Sequence, residues 1–565
     1  PVAWSFMLPD EFKNFGQSIF ANVFFVSNFL FWLESGYFAG PSELKPLLHT
    51  WSLAVEEQFY VLFPLTLLAL WKFGQNKIFL FLSFIFALSL FFSHYSSIYF
   101  PEASFFLLPS RAWELLLGSG VAFIFIFHKE IISSRSKLFS EVASITGVAL
   151  IIFSIYFFDE KTHFPGFHAL LPTIGTVLII LFCNSATIVG RFLGAKILVG
   201  FGLISYSLYV FHQPIFAFGK MSIGRELLAL EHLILIILSI ILAFLSWKYV
   251  ESPFRNRSVT SRKFIFTASF TSMLILASVG LGIHINKGFP DRFKSLNIDN
   301  MQFAMPSIAN DWCFYDVNSN TSLELGEKGL DCNIGDPEGS FTALLFGDSY
   351  AGHYEPAMDI VGKSANLNIH SVTTNWCFPS TNYEFGGPKA GRMYNQCKFN
   401  RDYYSKNLKN YDAIILSGDW ANLYSQEKFE GIFDAITFSA SISPLVIILP
   451  APKKFNSNVL DLFKRSKIFN FQFNSEAVNA EDDKIALEIN DILKNYSQNF
   501  DNVFFIQRAS FFNRLGVESD VTEENIPFSL DGGHISIYGS LNAGKNFIQS
   551  DQYDSLVNKL KRSSQ

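Results

Sequence analysis

Long apolar runs fill the first half of the chain and are absent from the second. Nine apolar segments lie near residues 17–33, 54–71, 78–95, 109–127, 142–158, 168–183, 197–218, 231–250 and 264–285. Each is about long enough to cross the hydrocarbon core of a bilayer. After residue 335 the pattern changes to short apolar runs alternating with amphipathic stretches. Strands are expected at Phe341–Phe346, Ala413–Leu416, Leu445–Leu449 and Val503–Ile506. A helix near 481–496 gathers Ile485, Leu487, Ile489, Ile492 and Leu493 roughly on one face. Such alternation predicts a parallel sheet with helices on both sides. The organisation expected is a multi-pass α-helical membrane domain over 1–285, a connection over 286–335 opening on Gly288-Phe289-Pro290, and an α/β domain over 336–560.

Basic residues orient the membrane half, because cytoplasmic loops are enriched in Lys and Arg. Lys72 and Lys77 follow the second segment, whereas the next loop, 96–108, has no Lys or Arg. Lys129, Arg135 and Lys137 mark the loop after that, and 159–167 has only Lys161. Arg191 and Lys196 follow; Lys220 and Arg225 make 219–230 a weaker case; then come Lys248, Arg255, Arg257, Arg262 and Lys263. Alternate loops are basic, so the last segment is expected to run outward and leave the C-terminal domain outside the cytoplasm. Whether 17–33 spans or lies in the interface is left open by this pattern.

Composition agrees with that division. Charged residues are 16% of the 565, well below the soluble norm, and 65 residues are Phe. A net charge of -6 argues against a nucleic-acid partner. The chain starts at Pro1 with no signal peptide, which suggests a fragment of a longer protein. Of five cysteines, Cys183 lies in an apolar segment, and Cys313, Cys332, Cys377 and Cys397 lie in the soluble half. Four cysteines allow three pairings. The sequence-local one, Cys313–Cys332 with Cys377–Cys397, is expected, in an oxidising compartment. No close-spaced Cys/His cluster suggests a metal.

Ligands of parallel α/β sheets bind beyond the carboxyl ends of the strands. There the chain places Gly347-Asp348-Ser349-Tyr350, Ser417-Gly418-Asp419-Trp420-Ala421-Asn422 and, near the C-terminus, Asp531-Gly532-Gly533-His534. A serine hydroxyl needs a base to become a nucleophile, and His534 is the candidate. Asp531, three residues earlier, can orient the imidazole. A tetrahedral oxyanion also needs donors. The Ser349 N–H is one candidate; Asn422 and an N–H from Gly386 or Gly387 are others. Asp348 reads as a turn residue, and Trp420 as a pocket wall or core residue.

Polar groups at membrane depth are functional candidates. His49 through Tyr60 contains the adjacent carboxylates Glu56 and Glu57. Arg111 and Glu114 lie three apart on one helix face, where an internal ion pair is the plainer reading. His212 precedes Pro214, which suggests a kink or a helix stop.

Four stretches, "PLLHTWSLAVEEQFYVLFPL" (46–65), "LLPSRAWELLLGS" (107–119), "SYSLYVFHQP" (205–214) and "WKYVESPFR" (247–255), resemble successive signatures of the acyltransferase 3 membrane family. The resemblance implies transfer of an acyl group, usually acetyl, from cytoplasmic acyl-CoA to a carbohydrate on the far side. It makes His49, Glu56, Glu57, Arg111, Glu114 and His212 candidates for that transfer. Phe211-His212-Gln213-Pro214 departs from the family's usual Trp-His-Trp-Pro. The family's N-terminal helix, with its essential His, and the Arg-rich motif after it would lie before Pro1. In the soluble half, Gly347-Asp348-Ser349 and Asp531-x-x-His534 resemble the first and last blocks of SGNH hydrolases. "NWCFPS" (375–380) and "QCKFN" (396–400) are similar to Cys-bearing segments of the form fused to acyltransferase 3 domains. The implied fold is a flavodoxin-like α/β domain.

The expected function is O-acylation, chiefly O-acetylation, of a surface polysaccharide, with Ser349 as nucleophile. Acyl-CoA would be the donor substrate, with no cofactor permanently bound. The acceptor would be a surface glycan or lipid-linked oligosaccharide, and the place a bacterial inner membrane with the C-terminal domain in the periplasm. Two alternatives remain open: a carbohydrate esterase using the same triad, and a non-catalytic glycan-binding domain on an inactive membrane half.

Overall fold

The computed structural model describes residues 1–35, 42–127, 130, 135–159, 162–223, 227–256, 260–292, 303–316, 330–382, 384–387, 391–455, 458–469, 473, 475 and 482–563. Of the cations used above to orient the chain, Lys129, Lys161, Arg225 and Arg257 lie outside the described residues. The chain divides into two compact units, Pro1–Arg292 and Phe293–Gln565.

The first unit is helical. Six helices among the described residues are long and apolar enough to cross a membrane: Thr50–Phe73, Gln75–Tyr99, Pro101–Phe127, Lys137–Phe157, Ala229–Arg255 and Arg262–Ile285. Their outward surfaces are apolar; Leu68 and Phe266, for example, are 74% and 76% exposed. Water would penalise such a surface, whereas lipid does not. Small residues let helices approach closely. A Cβ on Gly147 would lie 2.5 Å from the Gly175 carbonyl, and one on Gly16 2.8 Å from that of Gly280.

Three expected segments differ from the six. The segment 168–183 forms a shorter apolar helix, Phe167–Phe182. The segment 17–33 is divided between helices Pro9–Val23 and Ser27–Leu33, with Phe25 at φ 55°. The break is stabilised by side chains: Gln58 Nε2 donates to the Phe25 carbonyl at 2.8 Å and to Asn28 Oδ1 at 2.9 Å. Beyond 197–218, one helix runs over Lys196–Ile223 and passes through Pro214. Proline there neither stops the helix nor ends it early; it removes only the bond to the Val210 carbonyl.

The second unit is built on a six-stranded sheet. Its strands are β1 (Asn333–Gly335), β2 (Phe341–Gly347), β3 (Leu367–Thr373), β4 (Ala413–Ser417), β5 (Leu445–Ile448) and β6 (Val503–Phe505), in the order β1-β3-β2-β4-β5-β6. All neighbours are parallel except β1 with β3. Alternation along β2 fills two cores. Ala343 and Leu345 pack with Ala357, Val361, Ala543 and Phe547 on one face. Leu344 and Phe346 pack with Tyr404, Ile432, Ile436 and Ile489 on the other. Strands buried on both faces explain the near-continuous apolar runs.

Of the expected connection 286–335, residues 293–302 and 317–329 lie outside the described residues. At its start, Arg292 donates to the carbonyls of Met7 (3.2 Å) and Gly288 (3.1 Å), with its guanidinium 4.6 Å from the Trp4 and Phe12 ring centroids. At its end, β1 forms the antiparallel edge of the sheet. Cys313–Cys332 and Cys377–Cys397 are both bonded. Each closes a loop of about twenty residues. Replacing either pair by serine is expected to destabilise the soluble unit by about 3 kcal/mol, measurable by denaturant unfolding.

Glu355 ties the first of these loops to the sheet. Its buried carboxylate accepts from Cys313 N–H (2.8 Å), Phe314 N–H (3.0 Å), Ser371 Oγ (2.8 Å) and Thr373 Oγ1 (2.8 Å). Burial nevertheless pushes its pKa up to about 7, against these four hydrogen bonds. A carboxyl raised on folding stabilises most below its unfolded pKa, so this contribution fades as pH rises from about 4.5 through 7. Glu355→Gln is therefore expected to flatten the pH dependence of unfolding across that window.

Candidate active site

The carboxyl end of β2 carries the candidate nucleophile, Ser349. Gly347, the last residue of β2, opposes Ser417 of β4. A Cβ on Gly347 would lie 1.9 Å from the Ser417 carbonyl oxygen, so only glycine fits. Gly347→Ala is expected to cost at least about 2 kcal/mol in unfolding experiments. Asp348 then caps the short helix Ser349–Gly352, its Oδ1 accepting from Tyr350 N–H at 2.8 Å. Its Oδ2 accepts from Asp419 N–H at 3.0 Å, which joins the β2 and β4 loops. This leaves Ser349 at the first helical position, wholly buried.

The other half of the site is a tight turn before helix Ile537–Phe547. Leu530 N–H donates to the His534 carbonyl at 2.8 Å, and Gly532 takes φ 105°, a conformation that favours glycine. Asp531 Oδ1 accepts from Gly533 N–H (2.9 Å) and His534 N–H (2.7 Å). Asp531 Oδ2 is 2.8 Å from His534 Nδ1, and His534 Nε2 is 2.8 Å from Ser349 Oγ. The chain separation between serine and histidine is 185 residues, yet the three groups form one hydrogen-bonded line. In that line Nδ1–H donates to the carboxylate, which leaves Nε2 to accept the serine proton.

Electrostatics reinforce this arrangement. Burial disfavours the His534 imidazolium, but the charge of Asp531 and its hydrogen bond outweigh burial and hold the pKa above its ordinary value. Burial likewise acts against the Asp531 carboxylate, but His534 and two backbone N–H groups hold its pKa below the usual range. Asp531 keeps a wet edge, its side chain being 37% exposed, so solvent weakens both effects. Burial pushes the Asp348 carboxyl up to about 7, against the hydrogen bond from Asp419 N–H and with the negative charge of Asp419. Lys454 bonds the Tyr350 hydroxyl and, at 2.8 Å, Asp419 Oδ1. The Tyr350 ring lies 4.8 Å from that of His534.

The remaining candidates are placed as follows. Trp420 is a core residue, fully buried, with Nε1–H donating to the Leu449 carbonyl. Asn422 is exposed on helix Trp420–Ser425, and its Oδ1 accepts from Gln426. Gly386 N–H donates to the Trp376 carbonyl at 3.1 Å, and Gly387 lies against the Trp376 ring. The Asn422 amide oxygen and the Gly386 N–H are thus both engaged away from the Ser349–His534 line. Two residues that sequence reasoning missed are closer to the line. Thr374 N–H donates to the Gly347 carbonyl, which sets the wholly buried Asn375 beside the Asp348–Ser349 turn. His353, four residues after Ser349, is also buried, its ring 5.9 Å from that of His534. Burial, then the charge of His534, keep its pKa well below the ordinary imidazole value. The signal for Asn375 was a polar residue two positions after a strand, but β3, interrupted by polar residues, was not recognised.

In the membrane unit, Arg111 Nη1 and Glu114 Oε1 form an ion pair at 2.9 Å, with the guanidinium 5.2 Å from the Trp51 ring. Glu56 and Glu57 are half-buried on helix Thr50–Leu70. His49, just before that helix, is buried, with its ring 5.3 Å from that of His212. Among the described residues, no group of three or more His, Cys, Asp or Glu side chains could hold a metal ion.

Two family models match the chain. An acyltransferase domain matches residues 12–249, and an SGNH domain, described as fused to such acyltransferase domains, matches 313–549. The chain is 28% identical over 269 residues to the O-acetyltransferase OatA of Staphylococcus aureus, covering 46% of this chain and 44% of that protein. It is 27% identical over 268 residues to the peptidoglycan O-acetyltransferase OatA of Listeria monocytogenes, covering 44% and 42%. The chain thus spans less than half the length of these relatives. With an uncharacterised protein of Haemophilus influenzae the identity is 34% over 194 residues, 32% of this chain and 76% of that one. Among solved structures, the periplasmic domain of a lipopolysaccharide acetyltransferase from Salmonella ser. Paratyphi A covers 43% of this chain and 91% of that one, at 14% identity and a TM-score of 0.30. This chain belongs to the acyltransferase family in the form whose multi-pass membrane domain is followed by a C-terminal SGNH domain.

Proposed function

We propose that the chain O-acetylates a cell-surface glycan, with Ser349 receiving the acyl group and a sugar hydroxyl taking it. The observation that carries this reading is the Ser349–His534–Asp531 line, 2.8 Å at both links, in a chain that also holds an acyltransferase membrane domain. His534 Nε2 takes the Ser349 proton as Oγ bonds to the acyl carbonyl carbon, and returns it to the leaving group. The Ser349 N–H and Asn375 would donate to the oxyanion. A sugar hydroxyl then attacks the acyl-serine by the same steps in reverse. The relatives named as O-acetyltransferases support acetyl as the acyl group and a glycan as the acceptor. Cytoplasmic acyl-CoA would be the donor. The basic loops support an inner-membrane location, with the SGNH domain on the periplasmic side.

The test supplies an acetyl ester to the protein with and without a glycan acceptor. Acetyl appearing on the glycan, with slower acetate release, is expected. Acetate release that ignores the acceptor would instead make the protein an esterase.

A further inference from the structure

We propose that Lys454 is a positioning residue for the Ser349 reaction: it clamps the Tyr350 ring against the His534 imidazole and offsets the carboxylate charge gathered around that imidazole. The proposal rests on the Ser349 reading above and adds a residue to it.

Three neighbouring strands supply the clamp just beyond their carboxyl ends. Tyr350 follows β2, Asp419 follows β4 and Lys454 follows β5. The Lys454 segment is held by its backbone. Ala451 N–H donates to Asn490 Oδ1 at 2.8 Å, Lys454 N–H to Asp483 Oδ1 at 3.2 Å, and Phe455 N–H to the Gly532 carbonyl at 2.8 Å. The last of these bonds ties the segment to the turn that carries Asp531 and His534. From this base Lys454 Nζ donates to the Tyr350 hydroxyl and, at 2.8 Å, to Asp419 Oδ1. A Cβ on Gly533, the residue before His534, would lie 2.6 Å from the Tyr350 hydroxyl and 3.7 Å from Lys454 Nζ. The ammonium thus lies against the His534 turn while it holds Tyr350, whose ring centroid is 4.8 Å from that of the imidazole.

Two features separate this arrangement from an ordinary surface ion pair. The Lys454 and Asp419 side chains are only 15% and 21% exposed, so solvent and salt screen them less. Asp419 also stands directly before helix Trp420–Ser425, where an aspartate usually caps the first turn. It makes no such bond, and its carboxylate turns to Lys454 instead.

The charges around His534 act in opposed senses. Burial disfavours the imidazolium and Asp531 favours it; beyond that pair, Lys454 disfavours it and Asp419 favours it. A histidine held charged cannot take the serine proton. Lys454 keeps the neutral form within reach directly, and again by neutralising Asp419. The other charged groups nearby have their own partners. Lys453 with Asp520 (2.9 Å) and Arg508 with Glu518 (2.6 Å) line a small cavity beside His534. Burial and the charge of His534 keep His353 neutral. Asp348, pushed up to about 7 by burial, titrates in the same range, so the effect of Lys454 is read as a displacement between variants.

The test measures kcat and KM for an acetyl ester against pH, with the full chain in detergent, together with thermal unfolding. Lys454→Met removes the charge and keeps an apolar stem. Its acid limb is expected to move to higher pH by about one unit, with KM little changed. Asp419→Asn is expected to move the limb to lower pH, and Lys454→Arg to keep it near the wild-type position. A role confined to holding loops together would lower kcat in Lys454→Met and Asp419→Asn alike and would not drive their limbs apart. A limb that stays in place in Lys454→Met, or that moves the same way in both variants, overturns the proposal. If Lys454→Met shows no unfolding transition, Asp419→Asn decides, and a limb there at or above the wild-type pH overturns it. Ser349→Ala, assayed beside them, separates the two claims. Turnover that survives Ser349→Ala overturns the Ser349 reading. An inactive Ser349→Ala with an unmoved limb in Lys454→Met overturns the Lys454 role alone.

Discussion

Ser349→Ala is expected to lower turnover of an acetyl ester by about ten-thousand-fold or more. The reasoning is local. Ser349 Oγ is the atom in line with His534 Nε2, and alanine leaves the imidazole with nothing to deprotonate. Stability is expected to change little, since the fold around Ser349 is held by Asp348, which caps the helix and joins the β4 loop. Turnover of a chromogenic acetyl ester, measured together with thermal unfolding, checks both halves. A variant that kept more than about a hundredth of the wild-type rate would place the nucleophile elsewhere.

Asp531→Asn is the second large effect, about a thousand- to ten-thousand-fold in rate. An amide can offer N–H rather than oxygen to Nδ1, which favours the tautomer with the proton on the wrong nitrogen. The pH profile adds a sign. His534 must be neutral to act as base, and Asp531 raises its pKa. In the wild type, activity is therefore lost as pH falls through a value above the ordinary imidazole pKa of about 6.5. Removing the charge lets that pKa drop, so the acid limb of Asp531→Asn is expected at lower pH on a much lower plateau. An acid limb that stayed in place would mean that another group sets it. The same pair contributes to folding in opposite senses. The lowered carboxyl pKa stabilises above the unfolded value and is lost in acid, and the raised imidazole pKa stabilises below its unfolded value and is lost as pH rises.

The Ser349–His534–Asp531 hydrogen-bonded line was legible in sequence because its parts are short and local. A glycine-aspartate-serine turn after an apolar strand and an Asp-x-x-His turn before a helix each encode their own geometry. Strands β2, β4, β5 and β6 were legible for a similar reason, since burial on both faces leaves nearly unbroken apolar runs. Strand β3 was not. Its Asn368, His370 and Ser371 interrupt the run, and their partners come from distant segments: Ser371 bonds Glu355, and His370 bonds Tyr411. With β3 unseen, Asn375 could not be placed beside Ser349. Asn422 looked equally suitable by composition, but its helix turns it toward Gln426 and solvent. In the membrane unit the apolar runs marked helices well. The break at Phe25 depended on Gln58, 33 residues away, and no local pattern reports it.

The central claim is that Ser349 carries the acyl group on its way to the glycan. The direct measurement is intact-mass and peptide analysis of the protein during turnover with acetyl-CoA and limiting acceptor. An acetyl group on the peptide containing Ser349, chased onto glycan when acceptor is added, is the predicted result. Glycan acetylation proceeding at the wild-type rate in Ser349→Ala, with no acetylated Ser349 in the wild type, would contradict it.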